Sequence, residues 1–208
     1  MKPTLTALLV VDVQRDFMTE GALAVPLPNQ GLPAPETILP FINNLMASGR
    51  YARVVLTQDF HPDNHCSFAR TLGVPVLATT KTPAGRDQVA WPEHCVKGTP
   101  GADFHPGLYT RFADLVIRKG VRAEFDSYSG FSDDGGGLTG LTGYLSANRI
   151  EAVDVVGIAT DYCVKATAID AVKTGLATRV LREGCAGVAQ GTIEAAVAEM
   201  VRIGVSVI

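Results

Sequence analysis

Short apolar runs alternate with helix-spaced segments through the second half of the chain, and that alternation restricts the fold more than any other feature. Residues 114–117, 152–157, 178–181 and 205–208 read as strands. Helical segments over 138–148, 161–174 and 192–202 separate them, with Gly175 and Gly204 as caps. Nearer the start, the apolar run 5–11 lacks the polar alternation of a half-exposed strand, so it suits a parallel-sheet strand covered on both faces. A helix over 38–46, stopped at Gly49, leads to a further strand at 53–57; Pro40 must occupy an early turn of that helix or bend it. Strand–helix alternation predicts a parallel sheet with helices on both faces. No repeat or linker divides the chain, so 1–208 is expected to be a single domain.

Several classes are excluded by composition. With 47% apolar and 19% charged residues the chain is not disordered. Its net charge of −3 comes without any Lys/Arg run, so neither nucleic acid nor an acidic membrane surface is an expected partner. No apolar run approaches the roughly 20 residues that cross a bilayer. Met1-Lys2-Pro3-Thr4 runs into the first strand without a signal-peptide layout. The 4 cysteines are too few and scattered for a disulfide framework, so free thiols and a cytoplasmic location are expected. Two stretches stand outside the alternation: an ordered loop over 21–37, rich in proline, and residues 60–110, whose length without periodicity suggests function. Residues 132–137, Ser-Asp-Asp-Gly-Gly-Gly, read as a flexible tip.

In open parallel sheets ligands bind beyond the carboxyl ends of the strands. Those ends carry Asp12, Asp59, Lys119 and the segment Gly157-Ile158-Ala159-Thr160-Asp161-Tyr162-Cys163. Cys163 falls in the first helical turn after a strand, where amide N–H groups and the helix dipole favour a thiolate and can receive an oxyanion. Thr160 or Asp161 is the expected cap of that helix. Asp12 is either a cap or a site residue. Lys119 either extends outward or points inward to an acidic partner, while Arg118 takes the solvent side. Asp16 reads as a structural hydrogen-bonding group.

A metal site is indicated by Asp59 and His61, which share a face two residues apart, with His65 and His94 in the same loop region. One acid with two or three imidazoles suits Zn²⁺, Fe²⁺ or Mn²⁺. His105 reads as a loop brace; Cys66, Cys95 and Cys185 read as packing residues.

Taken together, Val11-Asp12-Val13-Gln14-Arg15-Asp16-Phe17, Asp59-Phe60-His61-Pro62, Trp91-Pro92-Glu93-His94-Cys95-Val96-Lys97-Gly98-Thr99, Arg118-Lys119-Gly120, Asp126-Ser127-Tyr128-Ser129-Gly130-Phe131 and Gly157-Ile158-Ala159-Thr160-Asp161-Tyr162-Cys163-Val164 resemble the nicotinamidase/pyrazinamidase group of the isochorismatase-like cysteine hydrolases. The resemblance runs from the first strand to the last. It implies a six-stranded parallel sheet in a three-layer α/β/α sandwich, with Asp12, Lys119 and Cys163 as catalytic triad. It implies one divalent ion (Zn, Fe or Mn) on Asp59, His61 and His94, with His65 matching a position that is a ligand in some members. A cis Ile158–Ala159 bond would aim the Ala159 amide, beside that of Cys163, at the oxyanion. Phe17, Leu23, Trp91 and Tyr128 match the ring pocket. The implied activity is hydrolysis of nicotinamide, and of pyrazinamide, through a cysteine thioester in NAD salvage, with room for a homo-oligomer. The alternatives are another amidohydrolase of the superfamily or a metal-binding protein without turnover.

Overall fold

The computed structural model describes residues 5–208, so Met1 to Thr4 lie outside the described residues. Along the chain run β1 (Thr6–Val11), α1 (Leu39–Ala47), β2 (Arg53–Asp59), α2 (Ala69–Leu72), β3 (Thr79–Lys81), β4 (Asp87–Val89), β5 (Leu115–Lys119), α3 (Leu141–Ala147), β6 (Ala152–Ile158), α4 (Lys165–Lys173), β7 (Ala177–Ala186), α5 (Gln190–Ile203) and β8 (Ser206–Val207). Six strands pair in the order β5-β2-β1-β6-β7-β8, all parallel.

The side-chain period of two explains why β1 is apolar throughout. Leu8 and Val10 pack with Ile42, Leu45 and Met46 of α1 on one face. Ala7, Leu9 and Val11 pack with Leu145 of α3, Ala168 and Ile169 of α4 and Met200 of α5 on the other. The result is the expected three-layer α/β/α sandwich. From β1 the chain passes to β2 on one side, and β6 later fills the other side. The carboxyl ends of β1 and β6 therefore flank a topological switch point, where such sheets bind ligands. Those two ends approach closely because residue 157 is glycine: its φ is +120°, and a Cβ there would collide with the backbone of Val11.

Local departures from the sequence reading have physical reasons. Pro40 sits in the first turn of α1, where its missing N–H costs no helical bond. The helix expected over 138–148 is shorter, since Leu138 bridges to Ser132 and Gly140, at φ +94°, precedes the first helical residue. The helix after β6 opens with a widened π turn, Thr160–Val164, and is α-helical only from Lys165. Residues 60–110 contain an antiparallel hairpin, β3 with β4, turned at Pro83-Ala84-Gly85. Strands of three residues carrying Thr, Lys, Asp and Gln leave no apolar alternation to detect. The strand read as 178–181 extends to Ala186 through an irregularity opposite Val155–Gly157. The Ser132–Gly137 segment is no loose tip: the Asp133 carboxylate accepts the Gly135 and Gly137 amides at 2.9 and 2.8 Å and pairs with Arg122.

Candidate active site

Asp12, Asp59 and Lys119 leave the ends of three adjacent strands and meet below the surface. Their exposures of 0%, 4% and 1% mean that none is solvated. The β2–β5 register sets Asp59 directly beside Lys119, so both side chains share one face. Lys119 therefore points inward. Its Nζ lies 2.5 Å from Asp59 Oδ1, 2.9 Å from Asp12 Oδ2 and 3.3 Å from Cys163 Sγ, and donates to the Ser127 carbonyl at 2.9 Å. Arg118 takes the opposite side, its guanidinium 4.0 Å over the Phe60 ring.

Asp12 enters this buried cluster and caps no helix. Its Oδ1 accepts the Thr57 hydroxyl at 2.6 Å. Its Oδ2 faces Lys119 as an ion pair, yet the angle is not that of a hydrogen bond and no other donor reaches it among the described residues. A carboxylate oxygen of Asp12 lies within 4.8 Å of Cys163 Sγ. Burial raises the Asp12 pKa, against the opposing pull of Lys119. Burial acts on Asp59 in the same sense, but Lys119 and His61 outweigh it and hold that carboxyl below its ordinary range. Lys119 resists its own desolvation through the two aspartates and is raised well above normal.

Cys163 departs from expectation. Its thiol is pushed well above the ordinary value by burial, more than Lys119 draws it down. Neither Thr160 nor Asp161 caps its helix, whose N-cap is Ala159 without a side-chain bond. The Asp161 carboxylate turns away to accept Val188 N at 3.0 Å and the Thr192 hydroxyl at 2.5 Å, tying this turn to the start of α5. The Ile158–Ala159 bond is cis.

Asp59, His61 and His94 bring their ligand atoms within 4.8 Å of one another, all buried. His61 Nδ1 lies 2.9 Å from the Gly120 carbonyl, and His94 Nδ1 lies 2.8 Å from the Pro92 carbonyl. A carbonyl can only accept, so each Nδ1 carries a proton and Nε2 is the atom left to offer a lone pair; Asp59 raises the His61 pKa, against the effect of burial. Burial lowers the His94 pKa to about 4, which keeps that ring neutral. This donor set fits a divalent ion such as Zn²⁺. His65 stands apart from it. Its Nε2 faces the Phe125 carbonyl at 3.2 Å, and its Nδ1 faces the Ser67 hydroxyl at 2.8 Å. Its proton is therefore on the other nitrogen and its lone pair is engaged; the ring stacks on His61 at 4.1 Å. Gly120, at φ +62°, lets the chain after Lys119 lie against His61, where a Cβ would strike the imidazole.

A narrow cavity of about 40 Å³ opens between the two groups. Asp59, His94, Ala159 and Cys163 line it together with Phe17, Leu23, Trp91 and Tyr128. Trp91 Nε1 donates to the Tyr128 hydroxyl at 2.9 Å. Tyr162, Val25 and Val188 also line the cavity and were not singled out from the sequence, where nothing distinguishes them from core residues. Two supports were missed as well. Thr57 holds Asp12, and Gln14 brackets the Asp59 backbone, donating to its carbonyl and accepting from its amide at 2.8 Å each. Asp16 accepts the Cys95 amide at 2.7 Å and His105 Nδ1 accepts the Gly107 amide at 3.0 Å, the structural roles expected of them.

The isochorismatase domain model matches residues 6–208. A nicotinamidase of Acinetobacter baylyi is 45% identical over 202 residues, spanning 96% of this chain and 90% of that protein. A solved nicotinamidase/pyrazinamidase of Acinetobacter baumanii superposes with a TM-score of 0.90 at 46% identity, covering 100% of this chain and 97% of that one. The pyrazinamidase of Pyrococcus horikoshii, solved in complex with zinc, superposes with a TM-score of 0.78 at 36% identity, covering 98% of each chain.

Proposed function

Because this chain belongs to the isochorismatase family, we propose that its cavity is the active site of a nicotinamidase, hydrolysing nicotinamide to nicotinate and ammonia. The observation that carries the reading is that one narrow cavity is lined at once by the Cys163 thiol and by Asp59 and His94 of the metal-ligand group. In this reading the ring enters this slot with its carboxamide at Cys163 and its ring nitrogen toward Asp59 and His94. Pyrazinamide, with a nitrogen in the equivalent place, is a second substrate. The reaction serves NAD salvage. A cytoplasmic location and a single domain over the matched residues 6–208 belong to the same reading.

In this reading Asp12 Oδ2, open beside the thiol, takes the Cys163 proton as the sulfur attacks the amide carbon. Lys119 spans both partners, so the negative charge passing between Asp12 and Cys163 stays beside one fixed cation. Backbone amides of Ala159 and Cys163 receive the oxyanion. Asp12 then gives its proton to the departing ammonia, leaving a thioester. In the second half Asp12 takes a proton from water as that water attacks the thioester, and returns it to sulfur as nicotinate leaves. Phe17, Leu23, Trp91 and Tyr128 enclose the ring and exclude bulk water. Asp59, His61 and His94 would hold the divalent ion, with zinc, iron and manganese the candidates, and His65 supports them by stacking on His61. When bound, the ion supplies a Lewis-acid position for the ring nitrogen. The test is ammonia release from nicotinamide by the full chain and by Cys163→Ala. Turnover by the first and none by the second is expected; release by Cys163→Ala refutes the cysteine mechanism.

A further inference from the structure

One buried acid beside the histidines takes no part in this chemistry. Asp126 is 4% exposed and lies in the segment after β5 that wraps the site. From that segment the Gly120 carbonyl receives His61, the Phe125 carbonyl receives His65 and the Ser127 carbonyl receives Lys119. Asp126 Oδ1 accepts the Ser127 amide at 2.7 Å, whereas Oδ2 is buried with no donor among the described residues. A buried carboxylate oxygen without a partner is costly and persists only where something compensates it. Its chain neighbours Phe125 and Ser127 touch His65 and Lys119 through their carbonyls, which puts Asp126 beside the imidazole cluster while leaving it outside the converging ligand set.

Charge balance says what compensates it. The buried charges around the cluster are the acids Asp12, Asp59 and Asp126 and the cation Lys119, with exposures from 0% to 4%. With neutral imidazole ligands, three carboxylates and one ammonium leave two negative charges, which one divalent cation cancels. Without Asp126 the loaded site would hold a net positive charge away from water, where charge is least tolerated. We propose that Asp126 is the charge-balancing carboxylate of the metal site, a positioning residue that strengthens the hold on a divalent cation from outside the ligand set. The proposal rests on the reading that Asp59, His61 and His94 hold such an ion.

The experiment is zinc binding by the full chain in competition with a chromogenic chelator, for wild type, Asp126→Asn and His94→Ala, with melting of each in EDTA. Asp126→Asn should weaken zinc about 10–100-fold, the usual cost of losing an outer-shell partner, while one ion per chain still binds. Its melting temperature in EDTA should be no lower than wild type, because Asn keeps an acceptor for the Ser127 amide and removes an unpaired buried charge. Asp126→Ser, smaller and also neutral, should weaken zinc in the same direction and serves if the Asn variant does not fold. Zinc held at wild-type strength by Asp126→Asn, with binding lost in His94→Ala, overturns the role of Asp126 and leaves the metal reading standing. A melting temperature in EDTA well below wild type in both the Asn and the Ser variant marks a structural residue and also overturns it. Absence of zinc binding by wild type overturns both.

Discussion

Replacing Lys119 by Met tests the buried charge cluster most directly. Methionine keeps the length and apolar stem but leaves Asp12 and Asp59, at 0% and 4% exposure, facing each other without their shared cation. Removing one partner of a buried ion pair costs about 3–5 kcal/mol, because the remaining charge is stranded away from water. For a chain of this size that is a fall in Tm of roughly 6–20 °C. The sign of the pH dependence follows from the two states. In wild type the Asp59 pKa is depressed, so its stabilisation is present above the unfolded value of about 3.9 and is lost only at still lower pH. In Lys119→Met burial acts without that opposition and both carboxyl pKa values rise. An acid with a raised folded pKa is destabilising above its unfolded pKa, and stability falls as pH rises through the folded value. The difference between variant and wild type should therefore be larger at pH 8 than at pH 5. Urea unfolding in EDTA at both pH values measures it, the chelator preventing a divalent ion from replacing the ammonium. A difference below about 1 kcal/mol at pH 8, or one that is the same at pH 5, would refute the reasoning.

Further outcomes are expected. Asp12→Asn, which keeps size but accepts no proton, should lower kcat for nicotinamide by about 10²–10⁴; a rate within about tenfold of wild type would assign the proton transfer to another group. Benzamide, which has C–H where nicotinamide has its ring nitrogen, should be a very poor substrate, and His94→Ala should bring nicotinamide toward the benzamide level; comparable kcat/KM for the two amides in the zinc-loaded wild type would show that the ion does not read the ring. Asp161→Ala, by stranding the Val188 amide and the Thr192 hydroxyl, should destabilise the fold by about 1–3 kcal/mol in urea unfolding, and an unmoved midpoint would contradict the tie to α5.

The sheet and the polar groups gathered at its strand ends were both legible in local sequence. An apolar run buried on both faces, alternation with helical segments and a polar residue at each strand end are local features, and a parallel sheet brings all those ends to one edge. Asp12, Asp59, Lys119 and Cys163 were legible for that reason. Their states were decided only by the tertiary structure. Whether Lys119 faces in or out depends on the β2–β5 register, which sets Asp59 beside it across 60 residues of chain. Gln14 and Thr57 gain their roles from contacts 45 residues away, which no local pattern records. His65 has the same side chain as His61 and His94, yet Ser67 and the Phe125 carbonyl put its proton on the opposite nitrogen. Asp161 looked like the cap of its own helix and instead ties that turn to α5. Cys163 has the helix-start position that favours a thiolate, whereas burial pushes its thiol pKa up. Backbone periodicity is written in adjacent residues, whereas protonation and ligation depend on what distant segments place within about 3 Å of a side chain.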